Sequence, residues 1–89
     1  MNYDEIQELM NKRGYDLQLR NANKTYLLFY NAILGLNCEV GIDERGAITF
    51  ELSKMINMIH CTTTKCGSLE NDKHFKRFED KLKKIGECE

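Results

Sequence analysis

A chain of 89 residues with 13 basic and 14 acidic side chains, net charge −1, has room for one domain and exerts no overall pull on nucleic acid or anionic lipid. Its hydrophobic fraction of 42% suffices for a core without staples, and the absence of proline excludes polyproline ligands and proline-rich linkers. The longest apolar stretch, residues 26–30, falls far short of the ~20 residues that span a bilayer, which excludes a membrane-spanning helix.

The start, Met1-Asn2-Tyr3-Asp4-Glu5, is acidic where a secretory signal is basic and then apolar. It reads as the beginning of a complete, soluble, cytoplasmic gene product with no membrane partner. In that compartment the four cysteines are expected as reduced thiols, with Cys38 in the core and Cys88 exposed.

The first expected element is a helix over 3–13. Asn2 and Glu5 have capping-box spacing, and Gly14 suits the position that ends a helix. Tyr3, Ile6, Leu9 and Met10 form its apolar stripe. Tyr15, Leu17 and Leu19 then alternate with Asp16, Gln18 and Arg20, as in a half-buried strand. Asn21-Ala22-Asn23-Lys24 is turn chemistry. Residues 25–30 are apolar on both faces and suit a central strand. Leu36, Cys38, Val40 and Ile42 alternate with polar neighbours. Asp43-Glu44-Arg45-Gly46 reads as a hairpin loop, and 47–52 as a fourth strand with Ile48, Phe50 and Leu52 on one face. A short second helix is expected over 53–61, capped by Ser53 and carrying Met55, Ile56, Met58 and Ile59 inward. The last is a helix over 69–85, capped by Ser68 or Asn71, with Phe75, Phe78, Leu82 and Ile85 inward.

The expected fold is therefore α+β, in the order α-β-β-β-β-α-α, with an antiparallel meander sheet and the helices packed on one face. The other face would carry Asp16, Gln18, Arg20, Asn37, Glu39 and Glu51, together with either Leu27 and Phe29 or Tyr26 and Tyr30. An aromatic pair on a polar sheet face is a candidate contact surface.

Signals for catalysis are weak. The carboxylate pairs Asp4/Glu5, Asp43/Glu44 and Glu79/Asp80 fall where solvated charge is expected, and no glycine-rich phosphate loop occurs. His60, Cys61, Cys66 and His74 are the residue types that bind zinc, but adjacent His60 and Cys61 rarely both ligate one ion. Cys66 before a helix start could be an activated thiol with His60 or His74 as base, yet a chain this small leaves little room for a substrate cleft. No enzyme activity and no cofactor are expected, and a small zinc domain stands as a minor alternative.

Charge is uneven. From residue 73 to 84 there are six basic and two acidic residues. Lys73, Lys76, Arg77, Lys83 and Lys84 on one helix would suit contact with phosphates, which makes a nucleic-acid-binding module the second reading. The competing explanation is a solvated helix face, helped by the pairs Asp72–Lys76, Glu79–Lys83 and Asp80–Lys84 at i,i+4 spacing.

The small size, the lack of proline and tryptophan, the capped opening helix Asn2-Tyr3-Asp4-Glu5-Ile6-Gln7-Glu8-Leu9-Met10, and the meander followed by C-terminal helices together resemble small phage-encoded inhibitors of bacterial defence, including anti-CRISPR proteins of α-sheet-α layout. The resemblance covers architecture. It implies a stoichiometric, non-enzymatic inhibitor that binds a host protein, such as a Cas effector nuclease or its nucleic-acid complex, and blocks DNA binding or a conformational step. The contact residues expected for such a protein are Tyr26, Tyr30, Glu39, the loop of Asp43, Glu44 and Arg45, and the basic helix.

Overall fold

The computed structural model describes residues 2–56, 59–66 and 69–85, of which 55, 56 and 59–66 are described by their backbone alone. The element order is α1 (Tyr3–Lys12), β1 (Asp16–Arg20), β2 (Tyr26–Asn31), β3 (Leu36–Ile42), β4 (Ile48–Ile56), β5 (Ile59–Cys66) and α2 (Asp72–Lys83). The strands form one sheet in the order β1-β2-β3-β4-β5, and each neighbouring pair is antiparallel. The α+β class, the meander and the helices on one sheet face are all present.

The expected helix over 53–61 is not. Ser53 and Lys54 continue β4 opposite Asn37 and Leu36, and the chain returns as β5, with Ile56 opposite Ile59. The apolar spacing around Met55–Ile59 fits a helix when read alone. Two other features favour extension: the alternation of β4 runs on through Ser53, and β-branched Ile59, Thr62, Thr63 and Thr64 suit a pleated strand. β5 also pairs β4 along its whole length, so tertiary pairing overrides a local preference.

α1 begins as expected. The Asn2 side chain accepts from the Glu5 amide at 2.9 Å, and the Glu5 carboxylate accepts from the Asn2 amide at 3.1 Å. Gly14 follows the helix at φ +90°, a conformation that side chains rarely adopt. A Cβ there would lie 3.2 Å from the side-chain Nδ2 of Asn31. Asn31, 3% exposed, joins this junction to the next turn: its Nδ2 donates to the Arg13 carbonyl, and its Oδ1 accepts from the Ile33 and Leu34 amides.

The core lies between one sheet face and the two helices. Leu27, Phe29, Leu36, Cys38, Val40, Phe50 and Leu52 meet Ile6 and Met10 of α1 and Phe75 and Leu82 of α2. Cys38 is buried here as expected, and burial pushes its thiol pKa up, which leaves it protonated and unreactive. α2 is shorter than the expected 69–85 and is capped by Asn71, whose side chain accepts from the His74 amide at 3.1 Å. At its other end Lys54, reaching up from β4, donates through Nζ to the carbonyls of Lys83 and Ile85, where a cation suits both the orphan acceptors and the helix dipole.

Candidate functional site

The register decides which side chains the helices leave uncovered. In an antiparallel sheet, paired residues share a face, and successive residues alternate. Leu27 and Phe29 are fully buried beneath the helices, so Tyr26, Leu28 and Tyr30 stand on the opposite face. Three rows cross that face: Asp16, Tyr30, Asn37 and Ser53; then Leu19, Leu28, Glu39 and Glu51; then Tyr26, Gly41 and Thr49. Among the described residues these rows carry three carboxylates and no lysine or arginine.

Leu19 and Arg20 depart from expectation. The register shifts between Leu17, opposite Phe29, and Leu19, opposite Leu28. This bulge reverses the alternation of β1. Leu19 therefore turns to the open face, 57% exposed, whereas the uninterrupted pattern puts it in the core. Arg20, expected on the open face, instead pairs with Leu27 and lies over the Tyr3 ring of α1, beside Lys24. Leu19 and Tyr30 are two of the three large hydrophobic side chains exposed among the described residues. The third, Ile33, is 92% exposed at the β2–β3 turn, which leaves Tyr30 at the edge of the same end of the sheet.

The open face is organised as well as exposed. The Tyr26 hydroxyl donates to Glu39 Oε2 at 2.8 Å. Burial raises the Tyr26 pKa, and the Glu39 hydrogen bond and the nearby Glu39 and Glu51 charges raise it further, so the phenol remains a neutral donor. The result is an apolar strip of Leu19, Leu28 and two tyrosines set among Asp16, Glu39 and Glu51.

The expected contact residues do not converge on one surface. Tyr26, Tyr30 and Glu39 stand together on the open face. Asp43, Glu44 and Arg45 form the β3–β4 loop at the sheet end near Tyr26, where Asp43 Oδ1 accepts from the Arg45 and Ala47 amides, each at 2.8 Å. Asp43 thus holds the loop's shape. Glu44 and Arg45 are exposed there. Lys73, Lys76, Arg77 and Lys83 are on α2 and Lys84 caps its end, across the sheet from the open face. Lys81, not among the expected residues, joins Lys73, Lys76, Arg77 and Lys84 around a shallow depression along the helix, with Asp80 between them. Lys83, partly buried, is not part of its lining.

The backbone does not bring together the two cysteines of the zinc alternative. Cys61 and Cys66 lie at nearly opposite ends of β5, opposite Lys54 and Thr49. Five residues of strand separate their Cα atoms by roughly 16 Å, too far for one ion. His74 is on α2 with its ring 5.1 Å from that of Phe78, and the side chains of His60, Cys61 and Cys66 lie outside the described residues. The thiol reading of Cys66 falls outside them too.

Among the described residues, no helix is long and apolar enough to cross a membrane. Comparison of the chain with protein-family models, with curated proteins and with solved structures finds no match.

Proposed function

We propose that this chain is a non-catalytic protein-binding domain that uses the open sheet face to occupy a basic surface of its partner, and so acts as an inhibitor or regulator. The observation that carries this reading is the apolar strip of Leu19, Leu28, Tyr26 and Tyr30 bordered by Asp16, Glu39 and Glu51, with no described cation among them. Interfaces draw most of their energy from a few aromatic and apolar anchors that become desolvated, while charge at the rim sets partner choice and association rate. A carboxylate rim selects lysine and arginine, and tyrosine offers both ring area and a hydroxyl. Basic surfaces with apolar centres are what proteins present to nucleic acid, so occupying one excludes the phosphate backbone. The resemblance to phage-encoded defence inhibitors supports the same effect, with a nuclease effector as target.

The test is a tagged pull-down from a bacterial lysate with and without nuclease, the captured proteins being identified by mass spectrometry. The expected result is one dominant protein with a basic surface. It is retained after nuclease treatment, eluted by salt, and lost with Glu39→Lys/Glu51→Lys but not with Lys76→Glu/Arg77→Glu. Capture indifferent to the sheet-face reversal, or a stable dimer of the chain formed through this face, overturns the proposal.

A further inference from the structure

The outer face of α2 is a second charged surface, apart from the open sheet face. The explanation that makes its lysines ordinary is neutralisation by helix carboxylates one turn away. The structure assigns two of those carboxylates elsewhere. Asp72 accepts from Arg13 of α1 through a single oxygen, Oδ1, at 2.6 Å from Nη2 and 3.2 Å from Nε. That guanidinium also lies 4.2 Å above the Phe75 ring, which fixes it in place. Glu79 turns inward and accepts from the buried Tyr15 hydroxyl at 2.6 Å. Among the described residues no ion pair reaches Lys73, Lys76, Arg77, Lys81 or Lys84. Two of the three acidic residues of α2 thus serve the fold, and Lys73, Lys76, Arg77, Lys81 and Lys84 line its outer face with Asp80 alone among them.

The spacing has a consequence. Lys73, Arg77, Lys81 and Lys84 follow one another at helix intervals of four, four and three residues, a rise of about 6 Å or less per step. They form one line of cations along the helix, flanked by Lys76. A line of cations with this repeat matches a linear polyanion better than a single compact anion, and the depression that the described residues form along it is shallow. We infer that the outer face of α2 binds the sugar-phosphate backbone of a nucleic acid, without base readout. This goes beyond the protein-binding reading and uses the opposite side of the molecule, so both ligands can be held at once.

The experiment is fluorescence anisotropy with the full chain and three labelled probes: a DNA duplex, its single strand and the matching RNA. Micromolar or tighter binding at about 50 mM salt is expected, weakening roughly 50- to 150-fold by about 200 mM as some four phosphates shed their counterions. Lys76→Glu/Arg77→Glu should weaken binding at least about tenfold and flatten the salt dependence, and Lys76→Arg/Arg77→Lys should preserve it. Circular dichroism of the reversed variant checks that it is folded, and Lys73→Gln/Lys81→Gln supplies a second loss-of-binding variant should the first fail to fold. Preference for duplex, single strand or RNA identifies the source of the phosphates. No binding at low salt, binding indifferent to both sets of substitutions, or equal displacement by poly-glutamate overturns the inference. Glu39→Lys/Glu51→Lys should leave this binding intact, which separates its failure from failure of the sheet-face proposal.

Discussion

The same strands present two faces that answer to different demands. On the covered face, Leu27, Phe29, Val40, Phe50 and Leu52 are each 2% exposed or less and share one core cluster with residues of both helices. On the open face, the tyrosines, leucines and carboxylates in between are half-buried or exposed, and Ser53 at its β4 end is buried. A single step along a strand passes from a position that sets stability to one that is free to recognise. Substitutions on the two faces should therefore separate cleanly, large in stability on one and large in binding on the other.

The greatest contrast is expected between Phe75→Ala and Tyr30→Ala. The Phe75 ring is 1% exposed and lies 5.4 Å from Phe50 and 5.8 Å from Tyr15, centroid to centroid. Its removal opens a cavity where both helices meet the sheet and should cost about 3–5 kcal/mol, a large fraction of the stability of so small a domain. Tyr30→Ala should cost less than about 1 kcal/mol in urea unfolding while abolishing partner capture. Equal losses would mean that the open face is part of the folding core.

Much of this architecture is legible in the residues. Capping at Asn2, the turn at 21–24 and the alternation of Leu36, Cys38 and Val40 are local signals, and they are found as read. The apolar run 26–30 leaves the choice of face open, because both alternations within it are apolar; the helices settle it by covering Leu27 and Phe29. β5 is not legible, since a helix and a strand compete for the same segment and the winner is set by pairing with a distant partner. The basic helix is legible as a charge run. That Asp72 and Glu79 are engaged elsewhere depends on Arg13 and Tyr15, some sixty residues away in sequence, and no local pattern shows it.

Tyr15→Phe should give the next largest effect. It removes the 2.6 Å hydrogen bond between a fully buried phenol and Glu79, at a cost of about 1–2 kcal/mol. It also tests a pH dependence. Burial, then the Glu79 hydrogen bond and charge, hold the Tyr15 pKa above its ordinary value. A raised folded pKa means that the unfolded phenol ionises first, so the stabilisation is complete below about pH 10 and declines as pH rises beyond it. The thermal midpoint of the native chain should fall above that pH, and the Tyr15→Phe variant should fall less steeply. Parallel curves would show that the alkaline loss originates elsewhere.

Loss of the capping box is expected to be smaller. Asn2→Ala removes the acceptor for the Glu5 amide and should cost about 1 kcal/mol in thermal or urea unfolding. α1 presents Ile6 and Met10 to the covered face alone, so this change should lower stability and leave capture by the open face unaltered. A change in partner affinity would tie α1 to recognition and blur the division between the faces.

The smallest effect on stability is expected at Leu19, and it probes how that division arises. Leu17 and Leu19 are identical residues two positions apart, and a regular strand would bury both. The bulge leaves Leu17 packed against the core and turns Leu19 out beside Leu28. Leu17→Gln should therefore cost about 1–2 kcal/mol, and Leu19→Gln should stay within about 0.5 kcal/mol. In the pull-down the order should reverse, Leu19→Gln weakening capture and Leu17→Gln leaving it intact once the protein is folded. If both substitutions destabilise equally, β1 keeps its alternation, Leu19 returns to the core, and the apolar strip loses the member that continues it from β2 onto β1. One inserted residue thus converts a leucine that could have served stability into one available to a partner.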